Sequence, residues 1–223
     1  MKIIVDMMGG DNAPLAVLEG TAAAVKEYGV EVIGVGDEAL VRKTAAEHNI
    51  PLDGITLHNC TETIEMCDEP ARAIRSKKDS SIVVGLNMLK NGEGDAFVSA
   101  GSTGALLSAA TLLVKRIKGI RRAAMAPVVP TGKGGAVLVD CGATAECTPE
   151  YLLQFAFMGS YYAEHVLGRP EPRVGLLNIG SEPSKGDTLR HETYALLEEA
   201  GREGRLNFIG NIEAKEAIKG GCD

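Results

Sequence analysis

Asp95-Ala96-Phe97-Val98-Ser99-Ala100-Gly101-Ser102-Thr103-Gly104-Ala105 decides how the chain is read. Phe97 and Val98 end a short buried strand. Gly101 and Gly104 permit a tight turn, and Ala105-Leu106-Leu107 opens a helix that runs to Lys115. Ser99, Ser102 and Thr103 stand where that helix begins. The first amides of a helix have no internal partner and carry the positive end of the helix dipole. A turn with small side chains at that point is a ready seat for phosphate. Many α/β proteins use Gly and Ser only to turn from strand to helix, so the weight lies in the recurrence of this grammar along the chain.

It recurs at the start. Lys2-Ile3-Ile4-Val5 is a short buried strand ending at Asp6, followed by Met7-Met8-Gly9-Gly10-Asp11-Asn12-Ala13-Pro14. Asp11 or Asn12 is suited to cap the next helix and Pro14 to its first turn. Leu15, Leu18, Ala22 and Val25 keep helical spacing up to Tyr28, and Gly29 ends that helix. Asp6 and Asp11 bracket Gly9-Gly10 at the carboxyl end of a strand, the edge where open α/β sheets bind ligands. The bland reading, a well-capped turn, competes with a ligand site there.

Further on, Val30 to Gly36 is a strand whose following helix is capped by Asp37, and Ile55 to His58 is a weaker strand. A helix over 68–78 ends in Arg72, Arg75, Lys77 and Lys78, either a solvated face or a docking patch for an acidic partner. Ser80 or Ser81 caps a buried helix over Ile82 to Lys90. Pro130-Thr131-Gly132-Lys133-Gly134-Gly135 lies between two apolar runs and reads as a hairpin turn, its spacing being wrong for a P-loop. Asp140-Cys141-Gly142-Ala143-Thr144 again joins a strand end, Asp and small residues. Pro149 starts a long helix over Glu150 to Leu167. A strand over Arg173 to Gly180 leads into a loop carrying Lys185, and Asp187 caps the helix Thr188 to Ala200. Leu206 to Gly210 forms the last strand, with Asn211-Ile212-Glu213 at its end. Strands alternating with helices predict a parallel sheet with helices on both faces and one antiparallel hairpin.

Composition narrows the function classes. The 223 residues suffice for one substantial α/β domain, and no composition break marks a linker. A net charge of −7, no Trp and few aromatics weigh against nucleic-acid binding. The five cysteines show no CxxC pair and no zinc-like spacing with the four histidines. An odd cysteine count, no secretory signal and no long apolar run point to a reduced, cytoplasmic setting. The cysteines read as small buried or half-exposed residues ahead of a catalytic thiol, for which Cys141, after a strand-end Asp, is the candidate. Arg121 and Arg122 fit either a phosphate clamp or ordinary surface charge.

Taken together, these stretches resemble the PlsX family, the phosphate acyltransferases of bacterial phospholipid synthesis. Asp6 to Pro14 is similar to the family's opening motif, and Lys77-Lys78-Asp79-Ser80-Ser81 and Val98 to Ala105 to its middle. Asp140-Cys141-Gly142-Ala143, Gln154 to Gly159, Asn178-Ile179-Gly180-Ser181-Glu182 and Phe208 to Glu213 follow in the expected order. Ser102 and Thr144 stand where the family usually has Asn, Arg122 where it has Pro, and Ala214 where it has Gly. The resemblance implies a three-layer α/β/α fold with a mostly parallel sheet, akin to isopropylmalate dehydrogenases and phosphotransacetylases. It implies transfer of a long-chain acyl group from acyl carrier protein to inorganic phosphate, in a homodimer loosely associated with the inner face of the membrane. Family members run roughly a hundred residues longer, so residues 1–223 are expected to form a single α/β domain that stops before its last strands and helices.

The expected site follows. Backbone amides over Gly101 to Gly104, with Ser99, Ser102 and Thr103, hold phosphate, and Lys185 offsets the developing negative charge. Backbone donors in the Gly9-Gly10 turn or at Gly142 stabilise the thioester oxyanion. Asp6, Asp11 and Asp140 orient these loops, since a carboxylate beside a phosphate dianion is repulsive. The matched motifs add Asn178 and Asn211 as substrate-binding residues. No cofactor and no metal are expected. The rivals are a phosphotransacetylase using acyl-coenzyme A, a metal-dependent dehydrogenase of the same fold, and a non-catalytic phosphate-binding fragment. The dehydrogenase lacks support, because no GxGxxG follows the opening strand.

Overall fold

Lys2–Asp6 is strand β1 in the computed structural model, which describes all residues 1–223. It lies between β2 (Glu31–Gly36) and β4 (Ala96–Val98), with β3 (Ile55–Asn59) outside β2, giving the order β3-β2-β1-β4. All three pairings are parallel, with Val5 opposite both Gly34 and Val98. Successive side chains of a strand face opposite ways. Val5 and Val32 therefore pack against Leu18 of α1 (Leu15–Tyr28) and Val41 and Ala45 of α2 (Glu38–His48). Ile4 and Val35 point to the other face, with Met88 of α4 (Ser81–Lys90). Ile4, Met7, Leu18 and Val35 are completely buried, each stabilising the fold by about 1.5–3 kcal/mol.

Two compact units divide the chain, Met1–Arg116 and Ile117–Asp223. In the first, α3 (Pro70–Ser76) packs against α5 (Thr103–Ala109), and their apolar faces join Ile82, Val83 and Leu86 in one cluster. The helix expected to run regularly to Lys115 instead widens into a π-helical turn over Ala110–Val114. The helix expected over 68–78 is shorter, because Lys77 leaves it to pair with Asp68 at 2.6 Å and with the Thr63 carbonyl at 2.8 Å. That ion pair removes Lys77 from any free basic patch.

The second unit begins with the expected hairpin, β5 (Val128–Thr131) antiparallel to β6 (Gly134–Val137). Helix α6 (Pro149–His165) has Thr148 as its N-cap, and α7 (Thr188–Arg202) is capped by Asp187, whose carboxylate accepts from the Arg190 amide at 2.9 Å. Leu153 and Ala156 of α6 meet Leu197 and Ala200 of α7 over the parallel pair β7 (Val174–Leu177) and β8 (Phe208–Ile212). A short α8 (Ala214–Ile218) follows. The last strand lies two residues later than expected. Leu206 is buried in the turn after α7, and Gly210 (φ 94°) forms a bulge inside the strand rather than its end. That positive φ suits only glycine, and the bulge places Asn211 within the strand.

Candidate functional site

The first unit brings one group of the expected site residues together. The chain runs β1 to β2 to β3 on one side of β1 and then crosses to β4 on the other. The β1 and β4 carboxyl ends therefore flank a topological switch point, where open parallel sheets leave a crevice for ligands. Asp6 ends β1 there and is 1% exposed. One of its carboxylate oxygens accepts from the Met8 amide at 3.1 Å, and the other from Ser99 Oγ at 2.7 Å. Ser99 Oγ in turn accepts from the Gly101 amide at 3.1 Å. A buried carboxylate thus ties the turn after β1 to the turn after β4.

Glycine makes this closeness possible. A Cβ on Gly9 would lie 2.6 Å from Asp6 Oδ2, 2.7 Å from the Gly101 nitrogen and 2.9 Å from Ser99 Oγ. One on Gly101 would lie 3.2 Å from the Gly9 Cα. The two turns touch backbone to backbone, and Gly10 packs over Ala100. Ser102 is buried and caps α5, its Oγ accepting from the Ala105 amide at 3.3 Å. Its hydroxyl proton remains free to donate. Thr103 and Gly104 are exposed at the helix start. Asp11 is exposed, and neither it nor Asn12 caps α1: Pro14 occupies that position, with no side-chain capping bond.

In the second unit, Asp140 is half-buried and holds its own loop. Its carboxylate accepts from the amides of Met125 (2.9 Å), Ala143 (3.1 Å) and Thr144 (2.8 Å). Gly142 (φ 128°) lies exposed on that loop with open space around it. Arg122 Nε donates to Thr144 Oγ1 at 3.2 Å, so one of the two neighbouring arginines joins the loop. The Arg121 amide donates to Gln154 Oε1 instead.

Asn178 and Asn211 both brace the loop that carries Lys185. Asn178 Nδ2 donates to the Lys185 carbonyl at 3.0 Å, and Asn211 Nδ2 to the Glu182 carbonyl at 2.8 Å. His191 adds a third brace through the Ser184 carbonyl at 2.9 Å. Asn211 is buried, and its Oδ1 is a buried side-chain acceptor with no partner. Lys185 is exposed and forms no ion pair. The sequence does not reveal the tie of Arg122 to Thr144, which lie 22 positions apart, nor the turn of the His191 ring back onto the Ser184 carbonyl. One sequence signal does bear on Arg122. Between Asp95 and Asp140 the chain has six Lys or Arg and no carboxylate, an electropositive stretch within an acidic protein.

Three of the five cysteines offer little nucleophilic chemistry. Burial, reinforced by Asp79 and Asp6, pushes the Cys60 thiol up to about 12. Burial also raises Cys147 and Cys222. A thiol held protonated is a poor nucleophile. Cys141 is exposed. No group of three or more His, Cys, Asp or Glu side chains is arranged to hold a metal ion.

The fold defines the class first. The EutD phosphotransacetylase from Staphylococcus aureus superposes with a TM-score of 0.66 at 21% identity, covering 100% of this chain and 74% of that one. A phosphotransacetylase from Streptococcus pyogenes gives 0.69 at 19% identity, covering 98% and 72%. The chain therefore has the phosphotransacetylase-like α/β fold, with mostly parallel strands and flanking helices. The family model described as "Fatty acid synthesis protein" matches residues 1–223. Proteins named phosphate acyltransferase are 48% identical over 223 residues in Alkaliphilus oremlandii and 49% over 216 residues in Caldicellulosiruptor bescii. These alignments cover 100% and 96% of this chain, and 65% and 64% of the relatives. The chain belongs to this family, the PlsX phosphate acyltransferases, and spans just under two thirds of those relatives' length.

Proposed function

We propose that the protein transfers a long-chain fatty acyl group from acyl carrier protein to inorganic phosphate, forming acyl phosphate for phospholipid synthesis. The observation that carries this reading is the Asp6–Ser99–Gly101 tie, which holds two glycine turns together at the switch point between β1 and β4. Family membership supports the reaction type. The reading includes a homodimer in the cytoplasm, resting against the inner face of the membrane. No helix is long and apolar enough to cross a membrane.

In the proposed reaction a phosphate oxygen attacks the thioester carbonyl, a C–O bond forms, and the C–S bond breaks. The electron pair leaves with sulfur, which takes up the proton that phosphate loses. The thiolate is a competent leaving group because its thiol has a pKa of about 8.5. No covalent enzyme nucleophile is needed, so the protein acts by positioning and electrostatics. Amides at the start of α5, with Ser99, Ser102 and Thr103, hold the phosphate. Backbone donors of the Gly9-Gly10 turn serve the carbonyl oxygen. Lys185 offsets the growing negative charge, on a loop braced by Asn178 and Asn211. Asp6 and Asp140 act as positioning residues, their oxygens committed to loop amides and to Ser99.

The test is mass-spectrometric detection of acyl phosphate from acyl-acyl carrier protein and phosphate, using a protein of the relatives' full length. Acyl-coenzyme A is supplied in a parallel reaction. Product from the carrier-bound donor alone is the expected result. Product from acyl-coenzyme A alone would move the protein to phosphotransacetylase-like chemistry, and none from either donor would reject catalysis.

A further inference from the structure

In the second unit, two separate stretches, 121–125 and 140–144, are fastened side by side. The Asp140 carboxylate accepts from the Met125 amide at 2.9 Å, and the Cys141 amide donates to the Met125 carbonyl at 3.3 Å. A third tie runs from Arg122 Nε to Thr144 Oγ1 at 3.2 Å, and the Thr144 amide is itself anchored on Asp140 at 2.8 Å. An exposed arginine ordinarily samples many rotamers, and ordering it costs entropy. This one is already held at Nε against a loop that is itself held.

The group so positioned is left mostly unused. A guanidinium has five N–H donors, and Arg122 engages one of them. It is exposed and forms no ion pair. Arg121 differs: its amide donates to Gln154, and its charge joins the Thr148 hydroxyl in holding the Glu150 carboxyl low. At the apex of the 140–144 loop, Gly142 (φ 128°) has nothing within 4 Å of where a Cβ would stand, and its amide meets no acceptor. Asp140 would repel an anion, but its two oxygens are committed to three amides. A second cation reaches the same place. Burial and then Asp140 raise the Cys147 thiol, while Arg122 and Arg190 both oppose them, so both guanidinium groups lie close to it.

A fork of free N–H groups beside a bare turn amide is the donor set that phosphate takes. The acyl transfer proposed above leaves one phosphate without a seat. Inorganic phosphate sits at the start of α5, but the thioester also arrives on a phosphate-bearing arm, phosphopantetheine, in carrier-bound and coenzyme A donors alike. We propose that the free Nη groups of Arg122 and the Gly142 amide form a subsite for the phosphate of that arm, with Arg190 adding charge and Thr144 acting as a positioning residue. The assignment rests on the proposed reaction. Because both donors share the arm, the subsite strengthens the two alike and does not choose between them.

Phosphopantetheine and pantetheine, which differ only in the phosphate, are titrated into the isotope-labelled protein while backbone amides and the Arg122 Nε–H resonance are followed. Phosphopantetheine is expected to give saturable shifts at Gly142, Ala143, Thr144 and Arg122, and to bind about tenfold more tightly than pantetheine, the scale of one charge-assisted contact. Arg122→Gln should remove that advantage and leave pantetheine binding unchanged. Thr144→Val, which deletes only the hydroxyl that fixes the guanidinium, should remove part of it. Arg122 is a surface residue, so the fold survives its replacement, and matching thermal melts verify this. Equal affinity for the two compounds, or an advantage that persists in Arg122→Gln, would overturn the proposal. Inorganic phosphate moving the same amides at the concentrations where phosphopantetheine does would overturn it too, assigning the loop to the free ion. Binding is read here without turnover, so failure to form acyl phosphate would reject the reaction and leave this result standing.

Discussion

Gly9→Ala tests the geometry at the switch point more sharply than removal of any polar group. The added methyl would sit 2.6 Å from Asp6 Oδ2 and 2.7 Å from the Gly101 nitrogen, where ordinary contact begins at 3.4 Å. The turns must separate by about 0.8 Å, or the buried Asp6–Ser99 bond must break, and such overpacking costs about 1–3 kcal/mol. For a chain of this size each kcal/mol shifts the melting temperature by about 2–4 °C, so a fall of about 2–12 °C is expected. A displacement near 1 Å also misaligns bound phosphate, and turnover in the longer protein should drop about 10²-fold. The control is Gly20→Ala, on exposed helical backbone with nothing within 4 Å of the new methyl. It should stabilise by about 0.5–1 kcal/mol. The assay pairs thermal unfolding with the acyl phosphate measurement. If Gly9→Ala melts and turns over like the unaltered protein, the two turns do not depend on close backbone contact and the site reading fails.

Other expectations follow from single contacts. Lys185→Ala in the longer protein should lower acyl phosphate formation about 10²-fold or more, the scale of a lost electrostatic contact, and unchanged turnover would remove that role. Asn211→Ala releases the Glu182 carbonyl and should cost about 0.5–1.5 kcal/mol in denaturant unfolding, with faster exchange over 182–186. The Arg190 amide, followed by the Arg190 charge, holds the Asp187 carboxyl below the usual 3.8. A depressed carboxylate stabilises the fold above its unfolded pKa and loses that contribution as pH falls through its folded value. Asp187→Asn should accordingly flatten the stability profile below pH 3.8, seen in thermal melts across the acid range. Iodoacetamide at neutral pH should label exposed Cys67 and Cys141 but spare Cys60 until denaturant is added.

Much of the fold was legible because local rules agreed with tertiary packing. The Leu15 to Tyr28 helix, its end at Gly29 and the Asp37 and Asp187 caps all appear as read, as does the hairpin around Gly132-Lys133. The failures share a cause: a partner outside the element outcompetes the local rule. Lys77 leaves its helix for Asp68, and Leu206 leaves its strand for the core beside Leu197. Gly210 reads locally as a strand end, yet the register with β7 makes it a bulge. Ser80 shows a subtler version. It precedes α4 as expected, but its hydroxyl donates to the Lys77 carbonyl and does not cap the helix.

At the site, residue types were easier to read than their partners. Asp6, Gly9, Ser99 and Gly101 stood out as strand-end residues, but nothing local says that Asp6 and Ser99, 93 positions apart, bond to each other. Asn178 and Asn211 were assigned to substrate from their motifs. Their amide groups go to loop carbonyls, a choice governed by the fold of residues 178–187 and invisible in spacing.

The central claim is that the turns after β1 and β4 form an anion seat. Titrating inorganic phosphate into the isotope-labelled protein while following backbone amide resonances tests it directly. Saturable shifts centred on Gly9, Gly101, Ser102, Thr103 and Gly104, abolished by Gly9→Ala, are the predicted result. Shifts confined to other loops, or none at millimolar phosphate, would contradict it.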